Sequence, residues 1–363
     1  MAAINEVVEV SRASPGEIRV VETERAPLTD GQVRLRIDRL AITANNITYA
    51  VIGDLLGYWD FFPTGDPEWG RVPAMGWADV VESTHAEVAV GGRYYGWYPM
   101  ARSLDLTVSP TRDGFRDDGD HRQAHASVYR SYVDSSRDPM YPMHPTDDAE
   151  DRHALLRGLF LTGFLADEFF ADQHYLGADT VIVLSASSKT AIGFAQRASE
   201  RGLAAVIGLT STRNAEFVRS LGFYTDVITY DDLGSLPVAD TVAVDLSGDA
   251  NVLAAVHDRL GDHLKYSMII GKSHHDALPV EISIGPTPQF FFAPTEVSRR
   301  RADWGVDEYE RRCTNALEAF VAGSERWLTV ERTTGSAAAE QTWHDVFDGR
   351  VAPAIGRIVS LHD

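Results

Sequence analysis

Residues 181–193, VIVLSASSKTAIG, decide the fold of this chain. An apolar run, Val181 to Leu184, ends in a turn of small hydroxyl residues. That turn opens a segment whose apolar positions Ile192, Phe194, Ala195 and Ala198 share one face at helical spacing. A strand that runs straight into a helix leaves the helix's first N–H groups and positive dipole end facing the turn, which suits a phosphate. The next apolar strand, AAVIGL (204–209), ends in Thr210-Ser211-Thr212-Arg213. An acid at that place serves the ribose hydroxyls of NAD, whereas an arginine suits a 2′-phosphate. The two turns together predict an NADP(H) site in a Rossmann-type domain.

Outward from this stretch, strand and helix continue to alternate. TVIVLSA precedes IGFAQRASERG, AAVIGLT precedes NAEFVRSLG, and DVITY, TVAVDLSG, NVLAAVHDRLG and YSMIIG follow, with PQFFFAP (288–294) as the final strand. This order predicts an α/β fold with a doubly wound parallel sheet and right-handed crossovers. The first hundred residues differ: GEIRVVETE, QVRLRIDRL and ADVVESTHAEVAV are short alternating runs between Gly, Pro and Asp turns, the pattern of a β-rich region. Residues 110–150, with FRDDGDHRQ and RDPMYPMHPTDD, are polar and read either as a long ordered excursion or as a flexible flap or lid. The tail reads as helix DEYERRCTNALEAFVAGS, strand WLTVERTTG, helix AAEQTWHDVFDG and strand GRIVSL.

Composition narrows the partners. A chain of 363 residues that is 44% hydrophobic can bury one large core or two, and a net charge of −20 argues against nucleic acid or an anionic membrane. No signal peptide pattern opens the chain and no apolar run reaches the ~18 residues of a membrane span, so a soluble, cytoplasmic protein acting on a small molecule is expected. The single cysteine, Cys313, excludes a Cys-rich zinc site or an internal disulfide. Of the three lysines, Lys189 lies in the phosphate turn and Lys272 follows SMIIG, two places where a compact ammonium suits a crowded phosphate cradle.

In the turn itself, Ser185, Ser188 and Ala191 fall where the dinucleotide fingerprint has small residues or glycine, so the backbone can still approach a pyrophosphate, and the hydroxyls can add hydrogen bonds. The plainer alternative is an ordinary strand-to-helix turn with a serine cap. A P-loop also ends in Lys-Thr, but Val183 and Ser188 replace both of its glycines. No Tyr-x-x-x-Lys pair and no Gly-x-Ser-x-Gly elbow occurs. His274-His275-Asp276 reads as a solvated loop, and Arg299-Arg300-Arg301, among acids, as a paired surface. No metal site is expected.

The segment ITANNITYAVIGDLLGYWDFFP (42–63) sets Asn45, Asn46, Thr48 and Tyr49 beside Tyr58, Trp59, Phe61 and Phe62. Polar groups next to a dense aromatic patch suit a pocket for a flat or acyl substrate, with an amide or phenol aimed at its carbonyl oxygen. The alternative is a packed barrel core.

The strings TANNITYAVIGD, YWDFFP, WGRVPAMGWADVVES, SASSKTAIGFA, GLTSTRNAEFVRSLGFYTDVITYDDL and FFAPTEVSRRRADWG resemble the zinc-independent medium-chain dehydrogenase/reductases, quinone oxidoreductase and enoyl reductase branch, and within them the DUF2855 family. The resemblance implies a GroES-like β-barrel catalytic domain from residues 1–150 and 301–363, with a Rossmann NADP-binding domain, 151–300, inserted between. It implies that Ser185, Ser187, Ser188, Lys189, Thr190 and Ala191 hold the pyrophosphate. Ser211 and Arg213 would hold the 2′-phosphate, and Ile270, Gly271 and Lys272 would border the nicotinamide ribose. Thr210 and Tyr230 complete the expected cofactor set. Asn46 and Tyr49, with Tyr58, are the expected catalytic groups, although the spacing to Gly53 differs from the common Asn-Pro-x-Asp pattern. The activity implied is NADPH-dependent reduction of an enone, quinone or other activated carbonyl. A carbonyl reductase or alcohol dehydrogenase with the same cofactor, and an NADPH sensor without turnover, stand as alternatives. A homodimer through the PQFFFAP edge is expected.

Overall fold

The structure, a computed structural model, describes residues 4–270 and 282–362. The chain forms two compact units, Met1–Leu155 with Leu328–Asp363, and Leu156–Trp327.

In the first unit, six antiparallel strands follow one another in hydrogen-bonded order: Gln32–Ile42, Pro73–Ser83, Arg93–Pro99, Ser131–Asp134, Gly114–Asp117 and Ser103–Thr111. The last pairs back onto the first, Gln32 opposite Thr107 and Arg36 opposite Ser103, which closes a barrel and leaves those strands no free edge. Gly76 is needed where Gln32–Ile42 bulges between Ile37 and Arg39, since a Cβ there would lie 2.0 Å from the Arg39 carbonyl oxygen. The tail returns to this unit as Ile355–Ser360, antiparallel to Gln32–Ile42, with Thr329–Thr334 parallel beyond it. Between those strands, helix Ser336–Phe347 buries Trp343, whose Nε1 donates to the Pro15 oxygen at 2.8 Å.

The polar stretch 110–150 is built into the barrel. It supplies two barrel strands, Gly114–Asp117 and Ser131–Asp134, linked by short 3-10 turns at Asp120–Arg122 and Ser127–Tyr129. A buried ion pair holds it: Arg122 and Asp117, 0% and 1% exposed, lie 3.2 Å apart, and the Arg122 guanidinium sits 3.9 Å from the Phe61 ring centre.

The second unit is a six-stranded parallel sheet in the order Asp226–Thr229, Ala205–Thr210, Thr180–Leu184, Thr241–Asp245, Leu264–Ile269, Gln289–Phe290. This is the doubly wound Rossmann order, which reverses between Thr180–Leu184 and Thr241–Asp245. Val181, Ile182, Val183 and Leu184 are all 0% exposed, because a central parallel strand is covered on both faces. Burying each contributes roughly 1.5–3 kcal/mol. The final strand is shorter than PQFFFAP suggests: only Gln289–Phe290 pairs, and helix Ala293–Trp304 starts at once, with Pro294 in its first turn where no N–H is needed. The tail rejoins the barrel at Leu328 rather than near residue 301, because helices Ala293–Trp304 and Val306–Ser324 pack within the second unit. Arg300, 1% exposed, pairs with Asp172 and Glu296, and Phe320 stacks on Phe160 with ring centres 4.6 Å apart. Arg299 pairs with Asp172, so two members of the arginine run meet acids as read.

Candidate functional site

At the point where strand order reverses, the carboxyl end of Thr180–Leu184 opens the serine turn. Ser185 stands at φ 57°, the left-handed region that a fingerprint glycine ordinarily occupies. Its N–H donates to Tyr230 Oη at 3.0 Å, and the Ala186 N–H donates to the Leu209 oxygen at 3.0 Å, which ties the turn to the next strand. Ser188 caps helix Lys189–Arg201, its Oγ accepting from the Ala191 N–H at 3.3 Å. Ser187 Oγ accepts from Asn214 Nδ2 at 3.1 Å. A hydroxyl that accepts keeps its own proton to give, so Ser187 and Ser188 offer O–H donors where glycine offers none.

Close packing behind the turn comes from another helix. Gly163, on Asp147–Asp172, sits where a Cβ would lie 2.6 Å from the Thr190 oxygen and 2.7 Å from the Phe194 nitrogen. Ala191 is itself 0% exposed. Lys189 is half-buried, and loss of water around its ammonium pushes its pKa down from 10.5 to about 8. Small residues, a left-handed entry, hydroxyl donors and a desolvated ammonium form a cradle that fits a dinucleotide pyrophosphate.

The turn after the second strand runs from buried Thr210 through Ser211, which begins the 3-10 turn Thr212–Asn214 and leaves Arg213 exposed. Thr212 Oγ1 donates to Asp231 Oδ2 at 2.6 Å, a contact absent from the sequence reading. Tyr230 is thus placed on the phosphate turn, with burial holding its phenol above the ordinary value and protonated. Ile270 follows the fifth strand, its N–H donating to the Asp245 oxygen at 2.9 Å. Asp245 turns inward: its Oδ1 accepts from the Ser247 N–H and O–H at 2.7 and 2.6 Å, so its own loop claims this strand-ending acid. Gly271, Lys272 and the His274-His275-Asp276 loop lie outside the described residues.

In the first unit, Asn46 is committed to the chain's own backbone. It is 3% exposed, its Oδ1 accepts from the Thr43 N–H at 2.7 Å and its Nδ2 donates to the Pro73 oxygen at 2.9 Å. It completes a capping box with Thr43 at the start of helix Ala44–Val51, so both ends of its amide are hydrogen-bonded within the chain. The aromatic segment packs as a core. Tyr49 and Tyr58 ring centres lie 4.5 Å apart, Tyr49 and Trp97 5.6 Å, and Phe61 and His125 4.6 Å. Trp59 is wedged where Cβ atoms on Gly53 and Gly70 would come within 2.4 and 2.1 Å of its ring. Asn45 Nδ2 donates to Tyr49 Oη at 3.3 Å, and the Tyr58 and Tyr129 hydroxyls are hydrogen-bonded. Desolvation raises the pKa of both Tyr49 and Tyr58. Tyr129, Arg122 and His125 escaped the sequence reading because they lie in a polar excursion that gives no local hint of docking.

This fold, a closed six-stranded barrel in a unit whose sequence is split by a Rossmann sheet, is shared with solved structures over nearly the whole chain. The structure is similar to CurA from Vibrio vulnificus in complex with NADPH, with a TM-score of 0.64, 14% identity and 99% of each chain covered. It is similar to a mutant Etr1p in complex with NADP and crotonyl-CoA, with a TM-score of 0.57 and 13% identity over 99% of this chain and 100% of that one. A mutant enoyl thioester reductase from Candida tropicalis gives 0.56 and 13%, over 99% and 100%. The chain belongs to the family described as "Protein of unknown function (DUF2855)", whose profile matches residues 40–352. No curated protein matches it. Among the described residues, no helix is long and apolar enough to cross a membrane.

Proposed function

We propose that this protein is an NADP(H)-dependent oxidoreductase that reduces an activated carbonyl compound, an enone or quinone in the first instance. The observation that carries this reading is the glycine-free cradle at Ser185–Ala191, with Lys189 opening the helix that follows it and Arg213 on the neighbouring turn. Structural neighbours crystallised with NADPH or NADP support it. The cofactor, when bound, supplies a hydride to an electron-poor carbon.

The chain's own residues bind and orient. Ser187 and Ser188 give O–H donors to the pyrophosphate, Lys189 gives charge, and Arg213 meets the 2′-phosphate. Ser211 and Thr210 shape that turn, and Ile270 borders the nicotinamide ribose. On the substrate side, Asn46 is a positioning residue that fixes the helix bearing Tyr49. Tyr49 accepts from Asn45 and keeps its proton, which burial holds through the neutral range, so it offers a hydrogen bond to a substrate oxygen as charge develops there. Tyr58, bonded to Tyr129, backs it. No zinc is required by this scheme. Exposed Phe290 and Phe292, with stacked rings 6.5 Å apart beside the edge strand, support a homodimer.

Nicotinamide fluorescence on mixing the protein with NADPH tests the reading, followed by an enone, quinone and aldehyde panel. Saturated ketone from an enone supports carbon–carbon reduction; allylic alcohol supports the carbonyl reductase. Tight binding with no turnover on any of them supports a sensor, and absence of binding by folded protein removes the oxidoreductase reading.

A further inference from the structure

The second-strand turn holds an acid that its own sequence lacks. Thr210-Ser211-Thr212-Arg213 contains no carboxylate, yet Thr212 Oγ1 donates at 2.6 Å to Asp231, 19 residues on. Topology delivers it. Ala205–Thr210 and Asp226–Thr229 are parallel neighbours with Thr210 level with Thr229, so the turns that follow leave the sheet side by side. Tyr230, adjacent to Asp231, is anchored to the Ser185 N–H at 3.0 Å, which holds segment Tyr230–Ser235 against the phosphate turn. Asp231 and Arg213 are both exposed. One turn therefore carries the two chemistries that Rossmann sites ordinarily use as alternatives: an acceptor-only carboxylate suited to a ribose diol, and a guanidinium suited to a phosphate.

Building on the NADP(H) reading of this turn, we infer that Asp231 is a second determinant of cofactor choice. It accepts from the adenosine ribose hydroxyls of NADH and opposes the 2′-phosphate of NADPH, so the site admits both. Arg213 alone would make the phosphate strongly preferred. The carboxylate held by the neighbouring Thr212 offsets that gain by repulsion and rewards the free diol, and the two preferences approach each other.

Binding of NADPH and NADH, read by nicotinamide fluorescence, is compared for wild type, Asp231→Asn and Asp232→Asn. The last makes the same change in net charge while leaving the Asp231 carboxylate that accepts from Thr212 in place. Wild type is expected to bind both cofactors with Kd values within about tenfold of each other. Asp231→Asn should tighten NADPH about tenfold and loosen NADH about threefold, whereas Asp232→Asn should move both together by less than about twofold. The NADPH gain should shrink toward ~1 M salt, where exposed charges are screened. Equal effects of Asp231→Asn on the two cofactors, a ratio shift matched by Asp232→Asn, or a wild-type preference beyond about a hundredfold would overturn the inference while leaving NADP(H) binding intact. A folded wild type that binds neither cofactor overturns the underlying reading and this inference with it.

Discussion

If the serine turn holds a pyrophosphate as proposed, Lys189 should make binding there sensitive to pH. Burial pushes its pKa from 10.5 down to about 8, because the neutral amine loses less than the ammonium when water is removed. A pyrophosphate reverses that preference, since it attracts only the charged form. The sign follows: above pH 8 the complex must take up a proton on forming, and affinity falls as pH rises. With a pKa near 8, about ten-elevenths of Lys189 is ammonium at pH 7 and about one-eleventh at pH 9, so the apparent Kd should rise about tenfold across that interval. A lysine at its ordinary value would change by only a few per cent over the same range. The assay is fluorescence titration of NADPH and NADH between pH 7 and 9.5, above the ~6 at which a phosphate monoester titrates. Both cofactors should show the same slope, because both carry the pyrophosphate, and Lys189→Met should bind weakly with a flat profile. A flat wild-type profile, or an equal slope in Lys189→Met, would refute the assignment of Lys189 to the pyrophosphate.

Arg213→Ala should weaken NADPH by about 1–3 kcal/mol and leave NADH nearly unchanged, measured by the same titration; equal losses would give the arginine a structural role. Gly163→Ala places a methyl against backbone at 2.6 and 2.7 Å, so it should destabilise the second unit by about 1–3 kcal/mol in urea and weaken cofactor binding by shifting helix Lys189–Arg201. Arg122→Met strands the buried Asp117 carboxylate and should lower stability by about 3–5 kcal/mol in denaturant unfolding, with a smaller loss in the double variant with Asp117→Leu.

Parallel strands buried on both faces are written as unbroken apolar runs, which is why Val181–Leu184 and its neighbours could be recognised locally, with the small residues of the turn between. The alternation of strand and helix then implies a parallel sheet with right-handed crossovers, while the order of its strands came from the structure. The capping role of Asn46 was not legible, since the same amide beside aromatics suits a pocket or a helix start, and only the Thr43 and Pro73 partners distinguish them. For the stretch 110–150 the sequence left an ordered excursion and a flap both open, because its strands are four residues each and its buried charges are neutralised by one another.

By itself, the sequence determined the class of the second unit, the helices and strands of the tail after residue 305 and the serine turn that opens helix Lys189–Arg201, because each depends on neighbours a few residues apart. Tertiary structure alone decided barrel closure through Gln32 and Thr107, the packing of Gly163 behind Thr190, and the delivery of Asp231 to Thr212. Those contacts join residues far apart in the chain, and the strand order that brings them together is set by the burial of the whole sheet rather than by any local pattern.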